Sequence, residues 1–337
     1  MASPSVDVSI VMPVYNAQRY VGRAIRSILL QTFTNFEFII VDDCSTDESP
    51  SIITSFTDER ICVLRNHQNQ GLEHSLNRAI AAARGSLIAR MDADDVSLPR
   101  RIAAQVAFMN KHPEVGMCGT YIKLIGDKTE VVEYYTDDAQ IKANLLFETG
   151  MAHPTVMMRK SVIDQHQLYY ETTYRAAEDY DLWIRAASVT KFANLPQVLL
   201  HYTIHPQSIS QTRDTQQTEG TNILRYNQLQ DMGLAPSADQ ILLHQQICSF
   251  GFPRRLSTIK QIEAWFKLIV QQNKKQPTYE PQALQWVLSN WWYKVCRATT
   301  GQGLPVWRQY YHSTLRLPEK LPLRSLKILA KCLLRRK

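Results

Sequence analysis

The sequence has little glycine, and it lacks the loops that bind phosphate through glycine backbones. Only 12 of the 337 residues are glycine, and neither GxGxxG nor GxxxxGK[ST] follows the first strand-like segment. Those two loops surround a phosphate with backbone N–H groups. Their absence excludes this mode of nucleotide binding, so a phosphate ligand would need a metal ion instead.

Cysteine pairs and long apolar runs are also missing. The six cysteines are scattered without CxxC spacing, which indicates reduced structural cysteines rather than a zinc site or disulfides. No apolar run reaches about 18 residues, so we expect no membrane-spanning helix. No basic and apolar leader precedes the strand-like residues 8–12, which argues against a signal peptide. We therefore expect a cytoplasmic protein.

Positive charge is concentrated at the C-terminal end. Residues 315–337 contain eight Lys or Arg and one Glu, whereas the rest of the chain is formally neutral. Leu326, Leu329, Ala330 and Leu333 follow helical spacing, and basic residues fall on a different face. Such a basic amphipathic tail fits anionic lipid headgroups, which suggests peripheral association with the inner face of a membrane. A terminal helix packed on the body is the alternative. Nucleic-acid binding is disfavoured because no recognisable module accompanies the charge.

Strand-like and helix-like segments alternate over residues 1–210. This rhythm predicts βαβ units and therefore an α/β fold with a doubly wound, mainly parallel, Rossmann-like sheet. After residue 210 only helical patterns follow, so residues 211–337 are predicted to form an α-helical C-terminal region. That region contains the adjacent Trp291 and Trp292, which we expect not to face inward together.

Acidic residues collect where the predicted strands end, which is where ligands bind in open parallel sheets. The densest group, Asp92, Asp94 and Asp95, follows residues 87–91 (LIARM), which are apolar except for one arginine. If the backbone stays extended, Asp92 and Asp94 point to one face and Asp95 points elsewhere. Like charges this close need a proton or a divalent cation, and oxygen ligands suit Mg²⁺ or Mn²⁺. The alternative is an acidic turn before a helix capped by Ser97.

Seven short motifs occur in a characteristic order and spacing. They are residues 8–16 (VSIVMPVYN), 24–33 (AIRSILLQTF), 41–47 (VDDCSTD), 91–95 (MDADD), 153–157 (HPTVM), 178–183 (EDYDLW) and 202–206 (YTIHP). Together they resemble the family 2 glycosyltransferases, inverting enzymes with the GT-A fold, here of the type that builds bacterial glycans and lipopolysaccharide. The resemblance implies a GT-A nucleotide-sugar-binding catalytic domain over residues 1–210.

The resemblance implies a donor site by position. Asp43 corresponds to the carboxylate that accepts a hydrogen bond from the nucleotide base, and such an acceptor favours the imide N–H of uracil. Pro13 and Tyr15 would flank the base. Cys44 departs from the family, in which glycine is commonest, so the backbone angle after Asp43 is in question. The alternative is that the acidic residues of the motif at 41–47 only form a turn.

The same resemblance implies a metal site and a catalytic pair. Asp94 corresponds to the direct ligand of a divalent metal, Mn²⁺ or Mg²⁺, Asp92 to the residue that holds the ribose or the metal shell, and His205 to a further ligand. Asp179 corresponds to the catalytic base, with Glu178 beside it. The alternative for this acidic pair is electrostatic stabilisation of a helix N-terminus.

We interpret the chain as a metal-dependent inverting glycosyltransferase. It would move a sugar from a nucleotide sugar, with UDP favoured, to a hydroxyl of a glycan or lipid-linked saccharide acceptor. Two alternatives stay open, a catalytically silent sugar- or nucleotide-binding scaffold and a nucleotidyltransferase. Nucleotidyl transfer is the weaker because it needs a glycine- and lysine-rich loop where residues 12–16 read MPVYN.

Overall fold

A computed structural model describes residues 6–174, 176–205, 214–317 and 321–334. The chain divides into two compact units. The first, called the catalytic unit below, comprises Met1–Ile141 and Thr149–Thr221, and the second, the helical unit, comprises Lys142–Glu148 and Asn222–Lys337. The boundary predicted at residue 210 lies outside the described residues and stays a prediction.

In its described residues the catalytic unit contains nine strands in one sheet. In chain order they are β1 Val8–Val14, β2 Phe36–Asp42, β3 Ile61–Arg65, β4 Leu87–Arg90, β5 Val96–Ser97, β6 Val115–Gly126, β7 Glu130–Val132, β8 Met157–Arg159 and β9 Lys191–Ile204. The helices that begin in this unit are α1 Val21–Leu29, α2 Ser49–Thr54, α3 Leu72–Ala82, α4 Arg101–Lys111, α5 Asp138–Asn144, α6 Lys160–His166, α7 Glu178–Ala187 and α8 Asp214–Asp231, with a 3₁₀ turn at His153–Thr155.

The sheet has the order β3-β2-β1-β4-β8-β6-β9-β5, and β7 pairs with β6. Strands β3, β2, β1 and β4 are parallel, which confirms the α/β fold predicted from the alternating pattern. Beyond β4 the sheet is mixed, because β8 pairs antiparallel with both β4 and β6. All seven residues of β1 and of β2 are buried, as expected for parallel strands covered on both faces.

Five further helices lie in the part of the helical unit that the structure describes. They are α9 Ala238–Cys248, α10 Leu256–Lys275, α11 Pro281–Ala298, α12 Leu304–His312 and α13 Leu321–Leu334. The expectation that Trp291 and Trp292 do not face inward together is wrong, because they are only 1% and 0% exposed. Helix α11 contacts α10, α12 and α13, so two side chains about 100° apart on it are both covered.

Helix α13 packs against the helical unit on one side and leaves leucines in solvent on another. Ser325, Ile328 and Cys332 are buried, and the Ser325 hydroxyl accepts a hydrogen bond from the Trp307 indole N–H at 2.9 Å. The exposed side chains are Leu323, Leu326, Leu333 and Leu334. The last three basic residues of the predicted tail lie outside the described residues. Among the helices of the described ranges, none is both long and apolar enough to cross a membrane.

Candidate active site

One cavity of about 800 Å³ opens at the carboxyl ends of the parallel strands of the catalytic unit. All eight residues predicted as site residues line it. They are Pro13, Tyr15, Asp43, Asp92, Asp94, Glu178, Asp179 and His205. Five separate stretches of sequence therefore meet in one place, as the rule for open α/β sheets predicts.

The acidic residues after β4 form a tight turn rather than an extended strand. Strand β4 ends at Arg90, and the Asp95 N–H points to the Asp92 carbonyl oxygen at 3.4 Å. The turn brings one carboxylate oxygen each of Asp92, Asp94 and Asp95 within 4.8 Å of one another. The expectation that Asp95 points elsewhere is therefore wrong, because it assumed that the strand continued. The alternative helix cap is wrong too, since Ser97 belongs to β5 and α4 begins at Arg101.

Arg90, which the sequence reasoning missed, binds Asp92 in a two-pronged ion pair. Its Nη1 donates to Asp92 Oδ2 at 2.6 Å, and its Nη2 lies 2.6 Å from Asp92 Oδ1. The Arg90 side chain is only 3% exposed. Burial raises the pKa of Asp92 to about 6, with Arg90 opposing the shift and Asp94 adding to it. The available signal was a charged residue ending an otherwise apolar strand, a position that a lone cation rarely occupies without a partner.

Asp94 and His205 form the second contact of the turn. His205 Nε2 lies 2.9 Å from Asp94 Oδ2, and its ring stacks on Tyr20 with centroids 4.5 Å apart. Arg23 and Thr203 donate to the Asp94 carbonyl oxygen at 3.0 and 2.6 Å, which fixes the turn.

One carboxylate oxygen of Asp95, in the same turn, is buried without a hydrogen bond to any described residue. This oxygen is Oδ2, whereas Oδ1 accepts the Thr203 N–H at 2.8 Å. Burial and the neighbouring Asp92 and Asp94 raise the pKa of Asp95 well above its usual value. A buried acceptor beside two more carboxylates and an imidazole fits a hard divalent cation, so these residues suit the metal that the resemblance implies.

The Asp43 carboxylate is buried and fastened by protein donors. Its Oδ1 accepts from the Asn66 amide at 2.6 Å and from the Gln70 N–H at 2.9 Å, while its Oδ2 accepts the Gly71 N–H at 2.9 Å. A carboxylate has about four acceptor positions, so Oδ2 keeps one for a ligand. Cys44 has φ +60°, a conformation that glycine adopts without strain, which explains why glycine is common there.

Glu178 and Asp179 begin α7 at the cavity wall. The preceding Ala176 has φ +59°, so the chain turns sharply into the helix. Asp179 Oδ1 accepts the Tyr180 N–H at 2.7 Å. Burial and the neighbouring Asp179 raise the pKa of Glu178 to about 8, and burial also raises the pKa of Asp179. Two carboxyl groups that only stabilised the helix N-terminus would not need to be buried so close that they resist ionising together. Groups with such perturbed pKa values concentrate at functional sites.

Solved structures place this fold in a known class. TarS from S. aureus, in complex with UDP or with UDP-GlcNAc, aligns with TM-scores of 0.58 and 0.59 at 18% identity. Each alignment covers 97% of this chain and 89% of the solved chain. The likeness confirms the predicted GT-A type of α/β fold.

Sequence relatives give the family. The model for Glycosyl transferase family 2 matches residues 9–167. An uncharacterized glycosyltransferase of Haemophilus influenzae is 32% identical over 225 residues, which cover 63% of this chain and 70% of that protein. The O-antigen biosynthesis glycosyltransferase WbnJ of Escherichia coli is 36% identical over 211 residues, 60% of this chain and 81% of that protein. A third relative, the UDP-Glc:alpha-D-GlcNAc-diphosphoundecaprenol beta-1,3-glucosyltransferase WfgD of Escherichia coli, is 28% identical over 205 residues, 61% of this chain and 78% of that protein. The chain belongs to glycosyl transferase family 2 and is a glycosyltransferase.

Proposed function

We propose that this glycosyltransferase is metal-dependent and inverting, and that it moves a sugar from a UDP-sugar to a hydroxyl of a glycan or lipid-linked acceptor. The observation that carries the proposal is that Asp43, the turn at Asp92–Asp95 and the pair Glu178–Asp179 line one cavity. A base acceptor, an anionic cation site and a carboxylate base are the parts that such a transfer needs.

The donor end of the cavity is built to hold a nucleotide. Asp43 Oδ2 has an acceptor position left for the imide N–H of uracil, and the half-exposed ring of Tyr15 lines the same cavity. Asp94 and His205, with Asp92 nearby, would hold the divalent cation, which when bound neutralises the diphosphate leaving group. The name of the relative WfgD, which specifies a UDP-sugar donor and a diphosphoundecaprenol acceptor, supports both the donor and the lipid-linked acceptor.

Asp179 is the proposed base. Its Oδ1 is held by the Tyr180 N–H, so Oδ2 is the oxygen that receives the proton of the acceptor hydroxyl. The freed hydroxyl oxygen displaces the diphosphate directly at the anomeric carbon, which inverts its configuration. A positioned base of this kind typically contributes about 10²–10⁴-fold to the rate.

The decisive experiment combines donor screening with one variant. A panel of nucleotide sugars is incubated with the protein, with and without EDTA, and release of the nucleotide diphosphate is measured. We expect UDP release that EDTA abolishes and that Mn²⁺ or Mg²⁺ restores. Asp179→Asn should bind UDP as tightly as the parent protein while transfer falls by about 10²-fold or more. Undiminished transfer by this variant would exclude Asp179 as the base.

We further propose that α13 places the protein on an anionic membrane surface. Leu323, Leu326 and Leu333 share one helix face, and an apolar face of this kind normally packs on a core. Here the three side chains are 71%, 61% and 50% exposed. Lys327 is exposed among them, and further basic residues follow in the sequence. Apolar side chains among cations fit the boundary between acyl chains and anionic headgroups.

Flotation with vesicles tests this surface. The double variant Leu326→Gln/Leu333→Gln changes exposed side chains only, and Leu30→Gln, a 71% exposed leucine of the catalytic unit, is the matched control. We expect the parent and the control to float with vesicles of phosphatidylcholine and phosphatidylglycerol, and the double variant to stay in the soluble fraction. Equal flotation of all three proteins, or binding only as a dimer through this face, would contradict the assignment.

A further inference from the structure

A second group of possible metal ligands lies in the cavity wall, apart from the turn at Asp92–Asp95. His153, in the 3₁₀ turn before β8, faces Glu178 and Asp179 at the start of α7. Each of the three offers one ligand atom, and these atoms lie within 4.8 Å of one another. As at the Asp94–His205 position, an imidazole nitrogen is combined here with carboxylate oxygens.

The imidazole of His153 is held in the orientation of a ligand. Its Nε2 lies 2.9 Å from the Tyr170 hydroxyl, and the Tyr170 backbone is fixed in turn by two hydrogen bonds to the Asn77 side chain. Its Nδ1 lies 3.9 Å from Glu178 Oε1, too far for a hydrogen bond, and contacts no other hydrogen-bond partner among the described residues. The side chain is only 10% exposed. Histidine ligands characteristically use the second ring nitrogen in this way to fix the tautomer and the ring.

The charges at this position favour a cation. The Glu178 side chain is 9% exposed, and the adjacent Asp179 is a second carboxylate. Arg90 is the nearby cation, and both its Nη atoms are already committed to Asp92. Burial and the positive charge of Arg90 keep the pKa of His153 well below its usual value, which favours the neutral ring. When Nε2 donates to the Tyr170 hydroxyl, Nδ1 is the ring nitrogen with a lone pair for a ligand. A neutral imidazole beside two carboxyl groups that resist ionising together has lone pairs to offer, and a bound cation would relieve the repulsion between the two carboxylates.

The donor set of this group suits Zn²⁺. One imidazole and two carboxylates are ligands that Zn²⁺ takes in tetrahedral sites, whereas Mg²⁺ prefers oxygen ligands in an octahedron. We propose that His153, Glu178 and Asp179 form a Zn²⁺ site, distinct from the Asp94–His205 position, and that Zn²⁺ bound there inhibits transfer by occupying Asp179. The inhibition rests on the proposed role of Asp179 as the base, whereas the binding does not.

Binding is measured without any substrate, so it is independent of the proposed function. The protein is saturated with Mg²⁺ and titrated with Zn²⁺ by calorimetry, and Co²⁺ is used in parallel because its visible absorption reports four-coordinate ligation. We expect His153→Gln to raise the Zn²⁺ dissociation constant by at least about 10-fold. Tyr170→Phe, which removes only the group that orients the ring, should also raise it by about 10-fold. The matched control His205→Gln should leave this binding unchanged.

Three outcomes would overturn the proposal. If His205→Gln abolishes Zn²⁺ binding and His153→Gln does not, the ion occupies the Asp94 position. If neither variant changes the affinity, Zn²⁺ binds elsewhere. If Zn²⁺ binds as expected and transfer is unaffected, the inhibition is wrong, while the Asp179→Asn result still decides separately whether Asp179 is the base. Glu178→Gln provides a second ligand variant with the imidazole intact, and a thermal melt of each variant verifies that it folds.

Discussion

The ion pair between Arg90 and Asp92 yields a quantitative prediction for stability. In Arg90→Met the length and much of the bulk of the buried side chain remain, but the guanidinium that faces Asp92 is lost. The Asp92 side chain is 24% exposed, so solvent screens it only in part. Removing one partner of a buried pair destabilises proteins because it leaves the other charge uncompensated.

The magnitude follows from the proton that Asp92 can bind. In the parent protein burial raises the pKa of Asp92 from 3.8 to about 6. Without Arg90 that pKa rises further, so Asp92 stays protonated in the folded variant at pH 8. Because pH 8 lies two units above the parent pKa of about 6, this proton lowers the free energy of unfolding by at most about 2.7 kcal/mol. At pH 5 the carboxyl is largely protonated in both proteins, so this cost vanishes. The pKa of Asp92 is higher in the folded protein than in the unfolded chain, so the free energy of unfolding falls as the pH rises through the folded pKa. The variant has the higher folded pKa and therefore loses more stability.

Hydrogen exchange of peptides from β1 and β4 is the appropriate assay, because it reports opening of the catalytic unit itself. EDTA keeps divalent ions away from Asp94, and rates are corrected for intrinsic exchange at each pH. We expect Arg90→Met to lower the opening free energy by up to about 2.7 kcal/mol at pH 8 and by less than about 1 kcal/mol at pH 5. The control is Arg65→Met, because Arg65 is 61% exposed and lies 3.2 Å from Asp42, an arrangement worth under about 1 kcal/mol. A defect of equal size at both pH values, or no larger than that of Arg65→Met, would refute the reasoning.

Three more predictions concern single side chains. Gly85→Ala should destabilise the catalytic unit by about 1–3 kcal/mol in a thermal melt, because a Cβ there would lie 2.6 Å from the Ser9 backbone nitrogen. Asp43→Asn should weaken UDP binding by about 10-fold in calorimetry, since the amide must present a donor to groups that are themselves donors, including the Gly71 N–H. Burial raises the pKa of Glu178 from 4.5 to about 8, so its ionisation costs stability as pH rises from 5 to 8. Glu178→Gln should therefore reduce that loss by about 4 kcal/mol in denaturant unfolding, and an unchanged pH slope would contradict the raised pKa.

Sequence alone predicted the parts of this protein that depend on local pattern. Apolar runs alternating with helical spacing indicated the α/β fold, and short motifs indicated eight of the residues that line the cavity. The roles assigned to those residues stay predictions. What local pattern could not supply was the direction of side chains after a strand stops. Asp95 was expected to point away because period-two geometry was extended past Arg90, where the chain had already turned.

Partners distant in sequence were also beyond local pattern. Nothing in residues 150–170 shows that the Tyr170 hydroxyl meets the His153 ring, because that contact depends on how the chain returns between β8 and α7. The two buried tryptophans of α11 were mispredicted for a similar reason. Helical periodicity tells which residues share a face, but only the surrounding helices decide how many faces are covered.

The charge balance of the cavity connects these observations to function. Asp92, Asp94, Asp95, Glu178 and Asp179 are gathered around Arg90, and burial raises the pKa of Asp92, Asp95, Glu178 and Asp179. Such a site is destabilising for the folded protein at high pH, because each raised pKa marks a charge that the fold disfavours. Evolution tolerates this cost where a ligand relieves it. Under the proposed function a divalent cation and its nucleotide sugar supply that relief, so Mn²⁺ with UDP should stabilise the catalytic unit more at pH 8 than at pH 5. A metal used only to hold the fold together would stabilise it equally well without UDP.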